Sequence, residues 1–221
     1  MLYIVPTPLG NLEDISARAI QCLRSCDFIV AENPSTTHKL LQLLKLPKKE
    51  VIQFADHNEV KVLPKISERL NNETACLVSD AGTPAISDPG FRIVRECRKL
   101  GIQVVSLPGA SAAITALAGS GLPTDKFLFN GFLPKTEPKL LRLIEESKTV
   151  EATLIAYESP QRLLKTVGVI QKNYPEINLV IARELTKLHE EYIHGTSTEV
   201  LDTLKNKPSI KGEITLLLSF K

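Results

Sequence analysis

Apolar runs alternate with amphipathic stretches along the whole chain. Leu2–Pro6 is a short apolar run and reads as a first strand. Ile15, Ala19 and Leu23 then recur every four residues, the spacing that places side chains on one helix face. Asp27–Ala31 is the next strand, followed by a helix through Leu40, Leu41 and Leu44. Val51–Phe54 reads as short and extended. A helix over Val60–Leu70 follows, with Asn58 as its N-cap, and Ala75–Ser79 is a buried strand. Asp88 has the chemistry of an N-cap and Pro89 suits a first helical position. Ile93, Val94, Cys97 and Leu100 would form that helix's apolar stripe, and Gly101 its end. Ile102–Leu107 is a strand and Ser111–Ala118 a helix of small residues.

The stretch Gly119–Asp125 is dense in turn formers, which places a boundary between a first domain, 1–121, and a second, 122–221. In the second half, strand Phe127–Asn130 leads to a helix near Pro138–Ser147. Strand Thr153–Tyr157 leads to a helix starting at Ser159-Pro160, and strand Leu179–Arg183 follows. Thr196 and Glu199 have the spacing of a capping box, and Glu213–Phe220 is a closing strand. The alternation in the first half predicts a largely parallel sheet covered on both faces, and the second half reads as a further α/β domain.

Composition narrows the class. Of 221 residues, 43% are hydrophobic and 24% charged, the balance of a globular chain rather than a disordered one. No apolar run approaches the roughly 20 residues that span a bilayer. The opening Met1–Pro6 has no basic leader, so a cytoplasmic protein is expected. Cys22, Cys26, Cys76 and Cys97 include no C-x-x-C pair and read as reduced, core-filling residues. A net charge of +2 neither requires nor excludes a nucleic-acid partner, because a local basic face can hide in a balanced total.

Four loops carry the candidate chemistry. They are Pro6–Asn11 after the first strand, Ser79–Gly90, Pro108–Ala112, and Tyr157–Arg162 in the second half. Proline fixes φ and glycine admits close backbone approach. The second loop also offers carboxylates, hydroxyls and free amides together. Any one of them could be a plain turn. Four such loops, three of them directly after predicted strands and spread over both halves, point to a ligand cleft. There is no G-x-G-x-x-G after strand one and no G-x-x-x-x-G-K-[ST], so dinucleotide and P-loop sites are not expected. In His189-Glu190-Glu191-Tyr192-Ile193-His194 the histidines are five apart and would not share a helix face. No metal site is expected, and the segment reads as exposed and polar.

These loops resemble a known family. Tyr3–Ile15, Val78–Pro84, Ile86–Phe91 and Pro108–Ala112 are similar to the corresponding motifs of the ribosomal RNA small subunit methyltransferase I family, in the tetrapyrrole methylase superfamily. Ser120–Asp125, Gly131–Lys135, Tyr157–Pro160, Arg183–Lys187, His189–Glu191 and Lys211–Ile214 continue the resemblance to the end. It implies a tetrapyrrole-methylase-like fold, two α/β domains with S-adenosyl-L-methionine in the cleft between them, and a homodimer. It also implies methyl transfer to the ribose 2′-hydroxyl of a cytidine in 16S ribosomal RNA of the small subunit.

The resemblance further implies cofactor contacts. Pro8, Leu9 and Gly10 would provide them in the first loop, and Asp80, Gly82, Thr83 and Ile86 in the second. Ser111 and Ala112 would do so in the third, and Tyr157, Ala182 and Glu213 in the second domain. Two departures stand out. The family pattern Ala-Glu-Asp-Thr-Arg-His-Thr after strand two is here Ala31-Glu32-Asn33-Pro34-Ser35-Thr36-Thr37. The chain also ends at Lys221, where longer members carry a further helical segment; if that segment helps grip RNA, binding here would be weaker or would need an assembled particle.

A hydroxyl acceptor must lose its proton at or near the transition state. The candidates for that work are Glu32, Asp88, Glu184 and Lys187. The plain alternatives are an N-cap for Asp88 and a surface pair for Glu184 and Lys187. Phosphate contacts would come from Lys135, Lys139–Arg142, Arg162 and Lys165, with a solvated helix face the favoured reading of Lys139 and Lys165, and base stacking from Phe132 and Tyr157, either of which could instead be core. Two other readings remain open at the sequence level: a superfamily methyltransferase with a tetrapyrrole or other small acceptor, and a cofactor-binding protein without turnover.

Overall fold

The structure, a computed structural model, describes all 221 residues. It divides into two compact units, Met1–Ser111 and Ala112–Lys221.

The first unit holds strands β1 (Leu2–Ile4), β2 (Phe28–Ala31), β3 (Glu50–Gln53), β4 (Ala75–Val78) and β5 (Val104–Ser106). They form one sheet in the order β3-β2-β4-β1-β5, and every pairing is parallel. Side chains alternate between the sheet's faces. Leu2, Ile4, Phe28, Val30 and Leu77 pack on one side with Ile66 of α3 (Glu59–Arg69), its C-cap Leu70, and Ile93 and Cys97 of α4 (Phe91–Lys99). Ile29, Ala31, Cys76 and Val78 pack on the other with Ala19, Cys22 and Leu23 of α1 (Ala17–Ser25) and Leu41 of α2 (Pro34–Leu43). Helices on both faces explain why β2 and β4 read as unbroken apolar runs: all their residues are buried. The four cysteines are free and buried, filling space between helix and sheet.

The second unit opens with α5 (Ala112–Ser120) and contains β6 (Phe127–Phe132), α6 (Glu137–Thr149), β7 (Thr153–Glu158) and α7 (Pro160–Asn173). Strands β8 (Asn178–Arg183) and β9 (Glu191–Thr196), helix α8 (Ser197–Lys205) and strand β10 (Ile214–Ser219) complete it. The sheet order is β6-β7-β10-β8-β9. Only β6 and β7 are parallel neighbours; β10 runs against β7 and β8, and β9 against β8. One face packs on α6, α7 and α8 through Leu154, Ile181 and Leu216 against Ile144, Leu163, Val167 and Val200.

The second sheet is thus mixed, with β9 and β10 joined through α8 and lying parallel to each other on either side of β8. Three expectations are corrected. The segment expected to be an exposed polar stretch is the edge strand β9, where only Ile193 is buried. Asp88 is not an N-cap. The loop stays non-helical past Pro89, and α4 is capped by Gly90 at φ 139, with no side-chain cap bond. Asn58 does sit at the N-cap of α3, but its side chain accepts from Ala55 N at 2.8 Å instead of capping the helix. The division between units also falls before α5, ten residues earlier than the turn-rich segment suggests. That helix buries Ala113, Ala116 and Leu117 and packs on β7, β8 and β10.

Candidate functional site

Because the first sheet is parallel, the carboxyl ends of its strands share one edge, and the loops that leave them meet there. The neighbouring order β2-β4-β1-β5 brings together Glu32, the Ser79–Gly90 loop, the Pro6–Asn11 loop and the Leu107–Ser111 loop.

The loops are tied to one another. Thr7 and Gly82 exchange backbone hydrogen bonds, each 2.9 Å, as an isolated antiparallel bridge. The Thr7 hydroxyl donates to Ser79 O at 3.1 Å, and the Thr83 hydroxyl donates to Ala110 O at 2.8 Å. Gly82 has φ 84, and a Cβ there would stand 3.2 Å from Leu9 Cδ2. Ala85 and Ser87 hold φ values of 69 and 63 despite their side chains, so the loop carries backbone strain beside Asp88. Pro8, Leu9, Thr83 and Ser111 are half-buried around this edge, and Gly10, Asp80 and Ile86 are exposed.

Three carboxylates gather at the edge. Burial raises the pKa of Glu32, and the negative charges of Asp80 and Asp56 raise it further. Burial also raises Asp80, against hydrogen bonds from Thr36 and Asn33. Asp88 is pushed up to about 6, chiefly by burial, opposed by a hydrogen bond from Ser79 and reinforced by Glu32 and Asp80. Like charges in a half-buried place cannot all ionise cheaply. Two of the residues that depart from the family pattern, Asn33 and Thr36, thus bind Asp80. Asn33 also caps α2 by accepting from Ser35 N at 3.1 Å, with Pro34 at the first helical position. Ser79, Asn33 and Thr36 were missed as site residues. The signal was Ser79's position directly after a buried strand.

In the second unit β6, β7 and β8 run the same way, and β10 begins where they end. Tyr157, Glu184, Lys187 and Glu213 therefore lie along one edge of that sheet. Glu184, at φ 53, donates its N–H to Glu213 O at 3.0 Å, and its carboxylate accepts from Glu213 N at 2.9 Å. Lys187 Nζ reaches Glu184 at 2.9 Å and Glu213 at 3.2 Å. The Glu213 N–H and the Lys187 ammonium hold the Glu184 carboxyl below its ordinary range. Burial works against the Lys187 charge, but its two carboxylate partners keep its pKa above the ordinary value. A Cβ on Gly212, which has φ 95, would stand 2.5 Å from Glu184 atoms, so this corner admits only glycine. Glu184 and Lys187, with Glu213, are thus a built three-residue clamp rather than a loose surface pair. Ala182 is fully buried within β8, and Ala112 opens α5. Phe132 is 61% exposed, which removes the core alternative for it.

S-adenosylmethionine combines hydroxyls, an ammonium and a sulfonium cation. The first unit's edge fits this chemistry: Glu32, Asp80 and Asp88 offer negative charge, and glycines keep backbone groups approachable. No group of His, Cys, Asp and Glu is arranged to hold a metal ion.

The family model for Tetrapyrrole (Corrin/Porphyrin) Methylases matches residues 1–201. A Hydrogenobaculum protein named ribosomal RNA small subunit methyltransferase I is 47% identical, covering 99% of this chain and 95% of its own. A Halalkalibacterium halodurans protein of the same name is 43% identical, over 98% of this chain and 75% of its own length. Among solved structures, diphthine synthase superposes with a TM-score of 0.79 at 13% identity, over 99% of this chain and 89% of that one, a likeness of fold. The chain belongs to the tetrapyrrole methylase family, alongside the ribosomal RNA small subunit methyltransferase I proteins, and is an S-adenosylmethionine-dependent methyltransferase.

Proposed function

We propose that this methyltransferase modifies the ribose 2′-hydroxyl of a cytidine in small-subunit (16S) ribosomal RNA. The observation that carries the reading is the carboxylate group at the first sheet's edge, with Asp88 titrating near 6. A sugar hydroxyl is a poor nucleophile until its proton is taken, and a base poised near neutral pH suits that step. The names of the relatives supply the class of acceptor.

In this reading Asp88 accepts the hydroxyl proton. Burial keeps its pKa high, reinforced by Glu32 and Asp80, and Ser79 orients it. The cofactor, when bound, supplies an electrophilic methyl group on a sulfonium, and the first unit's loops position it through Pro8, Leu9, Gly10, Gly82, Thr83, Ile86 and Ser111. In the second unit, Glu184 and Lys187 hold the Glu213 backbone in place. Glu184 and Lys187 are then positioning residues. One is tied up with a depressed pKa and the other stays charged, so neither is a competent base. Methyl displacement is in line, so alignment by these loops supplies much of the rate. The partners are small-subunit ribosomal RNA and a second copy of the chain, and the setting is the cytoplasm, where ribosomes are made. No helix is long and apolar enough to cross a membrane.

The test is transfer of labelled methyl from S-adenosylmethionine to small subunits from a strain deleted for the gene, with the modified nucleotide mapped. Label on a cytidine ribose is expected. Label on a base, or only on a small tetrapyrrole, would replace this reading with another acceptor.

A further inference from the structure

The edge strand β6 contains an irregularity that the chemistry above does not use. Its pairing with β7 runs Phe127↔Thr153, Leu128↔Leu154 and Phe129↔Ile155, then resumes at Phe132↔Tyr157. Three steps along β6 match two along β7, so β6 carries one extra residue, a β-bulge. Gly131, at φ 68, makes it possible, and the Asn130 side-chain amide fixes it by donating to Phe132 O at 3.1 Å.

The extra residue has a directional consequence. Side chains alternate faces along a strand, so without the bulge Phe132 would point away from Phe129. With it, both rings meet Tyr157 edge-on, at centroid distances of 5.2 and 5.7 Å. Phe132 nevertheless stays 61% exposed.

The backbone after Phe132 is firmly anchored. Leu133 donates its N–H to Tyr157 O at 2.9 Å and buries its side chain. The Arg162 guanidinium donates to Leu133 O at 3.2 Å and Pro134 O at 3.0 Å. Arg162 is itself held at 3.2 Å by Glu158, whose buried carboxylate also accepts from Ser159 N and the Thr166 hydroxyl, each at 2.7 Å. Beyond this anchor, Lys135 and Lys139 are exposed and make no ion pair, with Glu137 the one acidic residue between them. A bulge aims a large ring into solvent, a buried ion pair immobilises the strand that carries it, and free cations follow. That is the construction of a stacking surface for single-stranded nucleic acid, where a base lies on an aromatic face and lysines meet phosphates.

We propose that Phe132 is a stacking platform for an unpaired nucleobase of the RNA substrate, preorganised by the Asn130–Gly131 bulge and the Glu158–Arg162 pair. The proposal rests on the reading that the acceptor is RNA and names where that RNA is gripped.

The test uses the full chain with a short fluorescein-labelled oligocytidylate followed by anisotropy, since stacking tolerates any base. Phe132→Leu keeps apolar bulk without a π-face, and Phe132→Tyr keeps the face. Phe132→Leu is expected to weaken binding about tenfold, with Phe132→Tyr close to wild type and cofactor affinity by calorimetry unchanged in both. Equal affinity of Phe132→Leu and wild type would overturn the proposal, as would a wild-type chain that does not bind the oligonucleotide. A change of oligomeric state in Phe132→Leu by sedimentation would overturn it too, assigning the ring to a contact with a second copy. Methyl transfer by the wild-type chain, measured alongside, separates the two ideas. Transfer with an indifferent Phe132 sinks only the platform, and binding without transfer to any RNA sinks the reading of the acceptor.

Discussion

A carboxyl group raised by burial has an effect on stability whose sign is fixed. Below the ordinary Asp range both folded and unfolded chains keep the Asp88 proton. Between that range and about 6 only the unfolded chain has lost it, and above about 6 the folded chain bears the whole cost. Asp88→Asn should therefore stabilise the protein at pH 8 by about 1–2 kcal/mol, after allowing for solvent screening at a half-buried site. The gain should vanish below roughly pH 4. Urea midpoints at the two values check this, and equal shifts would remove the buried charge as the cause. In turnover, the wild type should gain rate through about pH 6, and Asp88→Asn should lose that limb along with most of its activity. Packing at Gly109 leads to a second expectation. A Cβ there would stand 2.6 Å from Pro6 Cβ, a ring locked in a backbone loop, so Gly109→Ala should cost about 1–3 kcal/mol by urea denaturation. Proline and glycine made the loops visible in the sequence, because turn chemistry is local. The environment of each carboxylate was not visible. Glu32 reaches Asp88 from the end of another strand and Glu213 reaches Glu184 from the start of β10, and no local pattern encodes the Gly212–Glu184 contact.

Elements were legible where their signals are local. The capping box of α8 is present as its spacing implied: Thr196 accepts from Glu199 N, and the Glu199 carboxylate accepts from Thr196 N at 2.8 Å. Thr196→Ala should cost about 1 kcal/mol, seen as a lowered thermal midpoint. Strand β9 was hidden because an edge strand with one buried residue carries little apolar alternation. Its identity comes from pairing with β8, a partner that periodicity cannot name. Asp-Pro is a good helix opening, but Gly90 follows, and a Cβ on it would stand 2.9 Å from Leu77 Cδ2. Close approach to β4, rather than the cap chemistry, decides where α4 begins.

For the whole molecule, two strand sets and helices in alternation were enough to read an α/β architecture, while the mixed order of the second sheet was not encoded in any single segment. The division before α5 makes a prediction about fragments. A chain of residues 112–221 should fold cooperatively, whereas 122–221 lacks the helix that covers β7, β8 and β10 and should be molten or aggregate. Circular dichroism melts distinguish them, and similar sharp transitions would place α5 outside the unit. Strand order has one more outcome. β1 lies inside its sheet, between β4 and β5, and β10 lies inside the other, between β7 and β8. During translation, then, β1 emerges first and has no neighbour until β4 and β5 have been made. The second sheet has a gap at its centre until Ile214–Ser219 clears the exit tunnel. Pauses in synthesis just before that point would leave β7 and β8 with unpaired inner edges, the state in which a nascent chain most needs a chaperone.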